Sequence, residues 1–458
     1  MKFWRAILCS CLVAACVPVE QTGSPTRATV QSVSFPSQSL PRGVTRSNVT
    51  LAEDFIDLTF ALESGQPLTR LLRYEGPVRI AMPSPQLAPY QRDLKNLLNR
   101  LQREAGVNIT QVSDPTTAHI RIEAVTTRDI QRVYPGAACF IVPGETNWDD
   151  FRRKSRRQRQ RWSEQQTLGT TAIFIPSDST PQDIRDCLHE EVGQALGPAN
   201  DVYRLSDSVF NDDNFHSILS SFDMLMLRAL YHPDLRSGMS KRAVAGRIVK
   251  ILNEINPNGR GTGSLARAPS SKPWKEAIET AMTRTNSRST RRRAANRAVS
   301  IAQAMKPQDH RLGVALLTRG RLSLQSDPTS GARDFTQSYE LFRRRLGAND
   351  IRTAQAGLHL SVLALATKDF DVVLKLVERS IDPALMGQNA VLASGLYAVR
   401  SEAFIGLGKT EEATEARLES LKWARFAFGD TNGIIASAQA KLEEFGTNRS
   451  APAAKAEQ

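Results

Sequence analysis

Apolar positions fall into different rhythms along the chain. Within 87–105, Leu94, Leu97, Leu98 and Leu101 recur at the 3.6-residue period of a helix lying on a core, and Gly106 supplies its stop. Segments 77–82 and 118–125 alternate apolar with polar, the period of a strand with one covered face; the second sets His119, Arg121 and Glu123 together on its other face. A short strand is expected at 139–142. Residues 171–176, nearly all apolar, read as a more buried strand. Helical spacing returns at Leu188, Val192, Ala195 and Leu196, with Thr180-Pro181 as N-cap and first turn and Gly197-Pro198 as the stop. Further helices are predicted over 51–62, capped by Asn48 or Thr50, and over 220–231. In the latter, Ser220 or Ser221 caps a stripe of Met224, Leu227, Leu230 and Tyr231. Strands interleaved with helices across 51–240 predict an α/β domain.

Beyond 240 the strand rhythm disappears. Pro and Gly crowd 257–273, which predicts a flexible link between helices at 241–255 and 274–283 inside a basic linker, 241–294. From 295 to 445 the pattern is all helical and repetitive. Leu346-Gly347 opens a helix after a basic one, and Phe428-Gly429 does so 82 residues later, which fits two repeats of about 41 residues. Asp369-Phe370 and Glu411 to Ala413 hold similar places at the starts of second helices. Leu407-Gly408 before Glu412-Ala413 resembles the tetratricopeptide pattern in a longer-period form. Such repeats stack on a shared core and expose a concave surface for a protein or peptide. The polar tail, 446–458, reads as disordered.

The N-terminus changes the compartment. Lys2 and Arg5 precede an apolar stretch at 6–14, and Val13-Ala14-Ala15-Cys16 resembles a bacterial lipobox. It implies a signal peptide at 1–15, cleavage before Cys16 and a diacylated Cys16 thiol; an ordinary signal peptide cut nearby is the alternative. Residues 16–50, rich in Ser, Thr, Pro and Gln, read as a disordered tether. The 6–14 stretch is too short to span a bilayer and no other apolar run is long enough, so the expected protein is lipid-anchored in the periplasm, on the inner or outer membrane. Of five cysteines, Cys9 and Cys11 leave with the signal and Cys16 takes lipid. Cys139 and Cys187 remain, and in an oxidising compartment two cysteines pair most simply with each other. A reactive Cys187 beside His189 is the sharper alternative, but positions i and i+2 point apart on a helix.

Composition describes a globular chain, 41% hydrophobic and 23% charged, with a net charge of +13. Seven cations fall within ten residues: Arg152, Arg153, Lys154, Arg156, Arg157, Arg159 and Arg161. A second run spans 284–297. Both lack interleaved aromatics, and an envelope protein meets little nucleic acid, so the expected partner is an anionic membrane surface or simply solvent. Glycine-rich phosphate loops, paired CxxC motifs and a nucleophile elbow are absent from the sequence, which removes the function classes that depend on them.

The remaining chemistry sits on the helix after Thr180. Zinc peptidases need histidines at i and i+4 with glutamate after the first. From His189 the glutamate is present, but position 193 is glycine. Shifted by one residue, Glu190, Gln194 and Asn200 occupy the three ligand slots of the spacing HExxHxxGxxH, Glu191 the general-base slot and Gly197 the turn. The helix therefore resembles that of a metzincin without its histidines. Met224 or Met226 would stand at the methionine turn that this resemblance implies, although a core methionine is the more common reading of such a stripe. Together with Tyr203-Arg204-Leu205, Ser208 to Asn214 and Phe222 to Tyr231, the helix also resembles the family called domain of unknown function 2927, over about 60–240. Those are lipoproteins of Gram-negative bacteria with a metallopeptidase-like fold and no assigned reaction.

Two functions follow. In one, Glu190, Glu191, Gln194 and Asn200 form a polar network in place of a metal. The protein is then a degenerate metallopeptidase that serves as an envelope scaffold or recognition module and needs no cofactor. In the other, a metal ion is held by Glu190, Gln194, Asn200 and His216, and Glu191 activates water in a metal-dependent hydrolase. One carboxylate with two amides is a poor zinc set.

Overall fold

The computed structural model describes residues 35, 44, 46–154, 162–211, 213, 215–261, 267–268 and 270–429. An α/β region comes first: α1 (Asn48–Thr59), β1 (Val78–Ala81), α2 (Gln91–Ala105), β2 (Ile109–Gln111), β3 (Ile120–Val125), α3 (Thr127–Val133), β4 (Phe140–Pro143), α4 (Trp148–Arg153), β5 (Thr171–Pro176), α5 (Pro181–Ala195), α6 (Ser221–Leu230) and α7 (Lys241–Ile255). The five strands form one sheet in the order β2-β1-β3-β5-β4, parallel except for β4. β5 is buried at every position, as its near-continuous apolar sequence requires of a strand covered on both faces.

One face of the sheet carries the main core, where Leu94, Leu97, Leu98 and Leu101 of α2 meet Leu188 and Val192 of α5 and Leu227 of α6. The other face carries a small aromatic cluster of Phe140, Trp148, Phe151 and Phe174. Met224 and Met226 are both buried in the main core.

Several expected boundaries move for local reasons. The helix expected from 87 starts as a 3-10 segment, Pro85–Tyr90, because Pro89 has no N–H to donate; α2 follows and ends at Gly106 with φ +69°. α1 stops at Thr59 rather than 62, since the chain turns back and Leu62 N donates to Gln66 O. Within the linker expected over 241–294, the two expected helices are present at Lys241–Ile255 and Lys272–Met282, and residues 262–266 and 269 between them lie outside the described residues. α7 packs Val244, Ile248, Ile251 and Leu252 into the main core, so it completes the α/β region.

The helical region comprises α8 (Lys272–Met282), α9 (Arg288–Ala304), α10 (His310–Ser323), α11 (Pro328–Leu346), α12 (Ile351–Ala366), α13 (Phe370–Met386), α14 (Ala390–Gly406) and α15 (Thr410–Phe428). Consecutive helices pack against one another. The N-caps Asp309, Asp350 and Asn389 begin alternate helices, at intervals of 41 and 39 residues. Tight crossings are made by glycine: a Cβ on Gly406 would lie 2.2 Å from the Phe370 ring. None of the helices among the described residues is long and apolar enough to cross a membrane.

The two regions interlock. Tyr203 of the α/β region is buried in the helical core against Trp274. His310 Nε2 lies 2.9 Å from the Tyr203 carbonyl oxygen. Asp213 and Arg352 form an ion pair buried on both sides, with Nε donating at 3.0 Å. α15 lies against α5, where Arg185 donates to the Phe426 carbonyl at 3.0 Å and covers the Phe426 ring at 3.8 Å. From the N-terminal segment, Phe35 packs between Trp423 and Phe426.

Candidate functional site

The resemblance to a peptidase rests on α5, and the local sequence fixes that helix firmly. Thr180 accepts from Asp183 N, and the Asp183 carboxylate accepts in return from Thr180 N, a complete capping box with Pro181 in the first turn. Its C-terminal end requires glycine. Gly197 has φ +138°, and a Cβ there would lie 2.5 Å from the Leu72 carbonyl oxygen. The Tyr231 hydroxyl donates to the Leu196 carbonyl at 3.0 Å and closes the turn. Cys139, just before β4, is disulfide-bonded to Cys187 on α5 with their Cα atoms 6.1 Å apart, as the cysteine count predicts.

Each residue in a ligand slot has another structural engagement. Gln194 donates its amide nitrogen to both carboxylate oxygens of Asp201, at 3.0 Å each. Asn200 donates to the Asp57 carbonyl at 2.8 Å, which ties the turn after α5 to α1. Glu191 is buried and Glu190 half-buried. His216 presents Nε2 to the Ser206 carbonyl at 3.0 Å and lies 3.3 Å from the Arg352 guanidinium. A buried guanidinium at that distance opposes a metal cation on the same ring nitrogen. No group of three or more His, Cys, Asp or Glu side chains among the described residues is arranged to hold a metal ion. The set Glu190, Gln194, Asn200 and His216 does not fit zinc, and no reaction step through a metal follows from it.

Position 193 is closed to any larger residue. A Cβ on Gly193 would sit 2.7 Å from Phe210 Cζ and 2.9 Å from Leu219 Cδ2. The slot where a zincin frame read from His189 would need its second histidine is filled by the segment that follows α5. His189 itself accepts from Leu219 N through Nδ1 at 3.3 Å. Enclosure, then the positive charge of Arg100, pushes its pKa down to about 3, so the ring is neutral near pH 7.

Other buried polar groups carry no motif. Asp54, fully buried on α1, is paired with Arg46, Arg204 and Arg267. Asp223, in the capping box of α6, accepts from Ser208 Oγ at 2.5 Å, Val209 N at 3.1 Å and Ser220 N at 2.8 Å, and so holds the 201–220 segment on that helix. Asp186 accepts from Gln182 at 2.6 Å, and burial pushes its carboxyl up to about 8. The one sequence signal for these groups is an acid on an apolar helical stripe, such as Asp54 between Leu51, Phe55 and Leu58.

A cleft of about 660 Å³ opens between α2 and the edge strand β2, lined among others by Gln91, Lys95, Asn99, Gln102 and Gln111. None of its lining residues comes from α5.

The model of the family described as Protein of unknown function (DUF2927) matches residues 48–250. The α/β region belongs to that family. No curated protein and no solved structure matches the chain. The DUF2927 match ends inside α7, in agreement with the packing of that helix into the main core. Within the DUF2927 region, the described part of the basic run is paired: Arg152 with Asp149, Arg153 with Asp150, and Lys154 with the buried Glu145. Arg156, Arg157, Arg159 and Arg161 lie outside the described residues, as does Cys16.

Proposed function

We propose that this chain is a lipid-anchored periplasmic protein whose DUF2927 region is a degenerate, metzincin-like metallopeptidase fold, acting as an envelope scaffold or recognition module. The observation that carries the reading is the engagement of Gln194 by Asp201, where a zincin would direct a ligand to its metal. Asn200 and His216 support it, each bonded to a backbone carbonyl. The alternating helices that begin at Asp309, Asp350 and Asn389 serve as a tetratricopeptide-like array, the natural surface for a protein or peptide partner. Cys16 would carry the lipid.

The deciding experiment is elemental analysis of the purified mature chain, paired with thermal unfolding with and without a chelator. The expected outcome is less than one metal ion per chain and an unchanged Tm. One tightly held ion whose removal lowers Tm would overturn the degenerate reading and return Glu191 to the role of a water-activating base.

A further inference from the structure

Between Glu279 and Asp309 the sequence carries seven cations, Arg284, Arg288, Arg291, Arg292, Arg293, Arg297 and Lys306, and no Asp or Glu. Most of that span is α9. The helix buries Ala295, Ala298, Val299 and Ala302, small residues that let it lie close against its neighbours. Its exposed side has a defined layout. At about 100° per residue, Arg288 and Arg292 fall on one edge of the exposed arc and Arg293 and Arg297 on the other. Ser289, Asn296 and Ser300, all exposed, run between the two rows. The four arginines, all exposed, cover about 14 Å of helix length at 1.5 Å per residue.

The contrast with the other basic run is chemical. Arg152, Arg153 and Lys154 are each matched by a carboxylate, whereas Arg288, Arg292, Arg293 and Arg297 are in no ion pair among the described residues. Asp327, the N-cap of α11, lies within the field of Arg333 and Arg292, and its carboxylate is already accepting from Ser330 N. Self-repulsion of four neighbouring guanidinium groups is a standing cost unless an anionic surface answers it. No exposed aromatic or large aliphatic side chain lies among the rows, so there is no stacking platform for bases and no apolar anchor for a protein hot spot. Two rows of forked donors flanking short hydroxyl and amide side chains match a plane of phosphates.

We infer that the exposed face of α9 is a docking surface for the anionic phospholipid headgroups of a bilayer. It would hold the helical region against the membrane, independently of any lipid on Cys16 and of the chemistry of α5. Each arginine near such a surface multiplies partitioning several-fold at low salt, so four together give about a hundredfold or more.

The test uses the full chain with Cys16→Ser, so that acylation contributes nothing, and co-sedimentation with vesicles of phosphatidylcholine with or without phosphatidylglycerol. The parent is expected to bind the anionic vesicles, to bind the neutral ones far more weakly, and to be released by high salt. The variant R288Q/R292Q/R293Q/R297Q is expected to lose about a hundredfold in partitioning. Glutamine is a comparable helix former at exposed positions, so its Tm should match the parent. The corresponding quadruple lysine variant keeps the charge and should bind within a few-fold of the parent, which covers the case of a glutamine variant that melts early. Equal binding to neutral and anionic vesicles, or a glutamine variant that binds as well as the parent, would overturn the inference. So would loss of binding in the lysine variant, or tighter binding to duplex DNA than to anionic vesicles at the same salt.

Discussion

Asp186 and His189 lie three residues apart on α5 and respond to pH in opposite senses. Burial holds the Asp186 carboxyl protonated up to about pH 8, whereas the unfolded chain releases that proton near pH 4. Stability from this group is therefore complete below about pH 4 and drains away as pH rises toward 8. His189 refuses its proton down to about pH 3 although an unfolded histidine takes one near 6.5, so its contribution is complete above 6.5 and lost as pH falls. Above pH 6.5 only the aspartate slope remains. Asp186→Asn keeps an oxygen for Gln182 and removes the titration. Its Tm relative to the parent is expected to rise between pH 6.5 and 8, as read by calorimetry at several pH values; a constant difference would refute the assignment. Little of this was legible in the sequence. The spacing of Glu190, Glu191, Gln194, Gly197 and Asn200 falls on and just after α5, and Gly197 is the glycine turn that ends it. The partners Asp201, Asp57 and Arg352 were not marked, because folding brings them from other segments and no local periodicity encodes such pairs.

Elements were more readable where their signals are short-range. Thr180 and Ser220 are true N-caps, Gly106 ends its helix in the left-handed region, and Thr171–Pro176 is the buried strand that its composition requires. β2, α3 and α4 escaped, each too short to show a period and dependent on the sheet or on caps such as Thr126 and Asn147. Lys241–Ile255 was recognised as a helix but not as a member of the first core, because an apolar stripe does not name its partner. The disulfide joins the residue just before β4 to α5, the pairing that the cysteine count predicts, across 48 residues. Replacing Cys139 and Cys187 by serine is expected to cost about 4 kcal/mol, the loop-closure contribution for a loop of that size. Urea unfolding of the oxidised parent against the double-serine variant reads it directly; equal midpoints would show that the bond adds nothing to the fold.

At the scale of the molecule, the sequence predicted two regions and missed their fusion. The Asp213–Arg352 pair, Tyr203 in the helical core and Arg185 on Phe426 are contacts between residues more than 70 positions apart. Their expected consequence is a single cooperative unfolding transition for the described body. Arg352→Ala leaves Asp213 buried without its partner, a loss of about 3–5 kcal/mol. It should pull the helical region's melting ahead of the α/β region's, visible as two calorimetric transitions. If the variant keeps one transition at an unchanged temperature, the pair is not what joins the regions.

Gly193 bears on history as well as packing. The ring of Phe210 and the side chain of Leu219 occupy the volume that any larger residue at 193 would enter. A mutation to histidine there would meet a filled site, so accommodating it would first require Phe210 and Leu219 to repack, at a cost in stability. Selection acting one substitution at a time would meet a ratchet at this position. A histidine pair at 189 and 193 is out of reach of any single substitution on this helix, because an aromatic ring already holds the space.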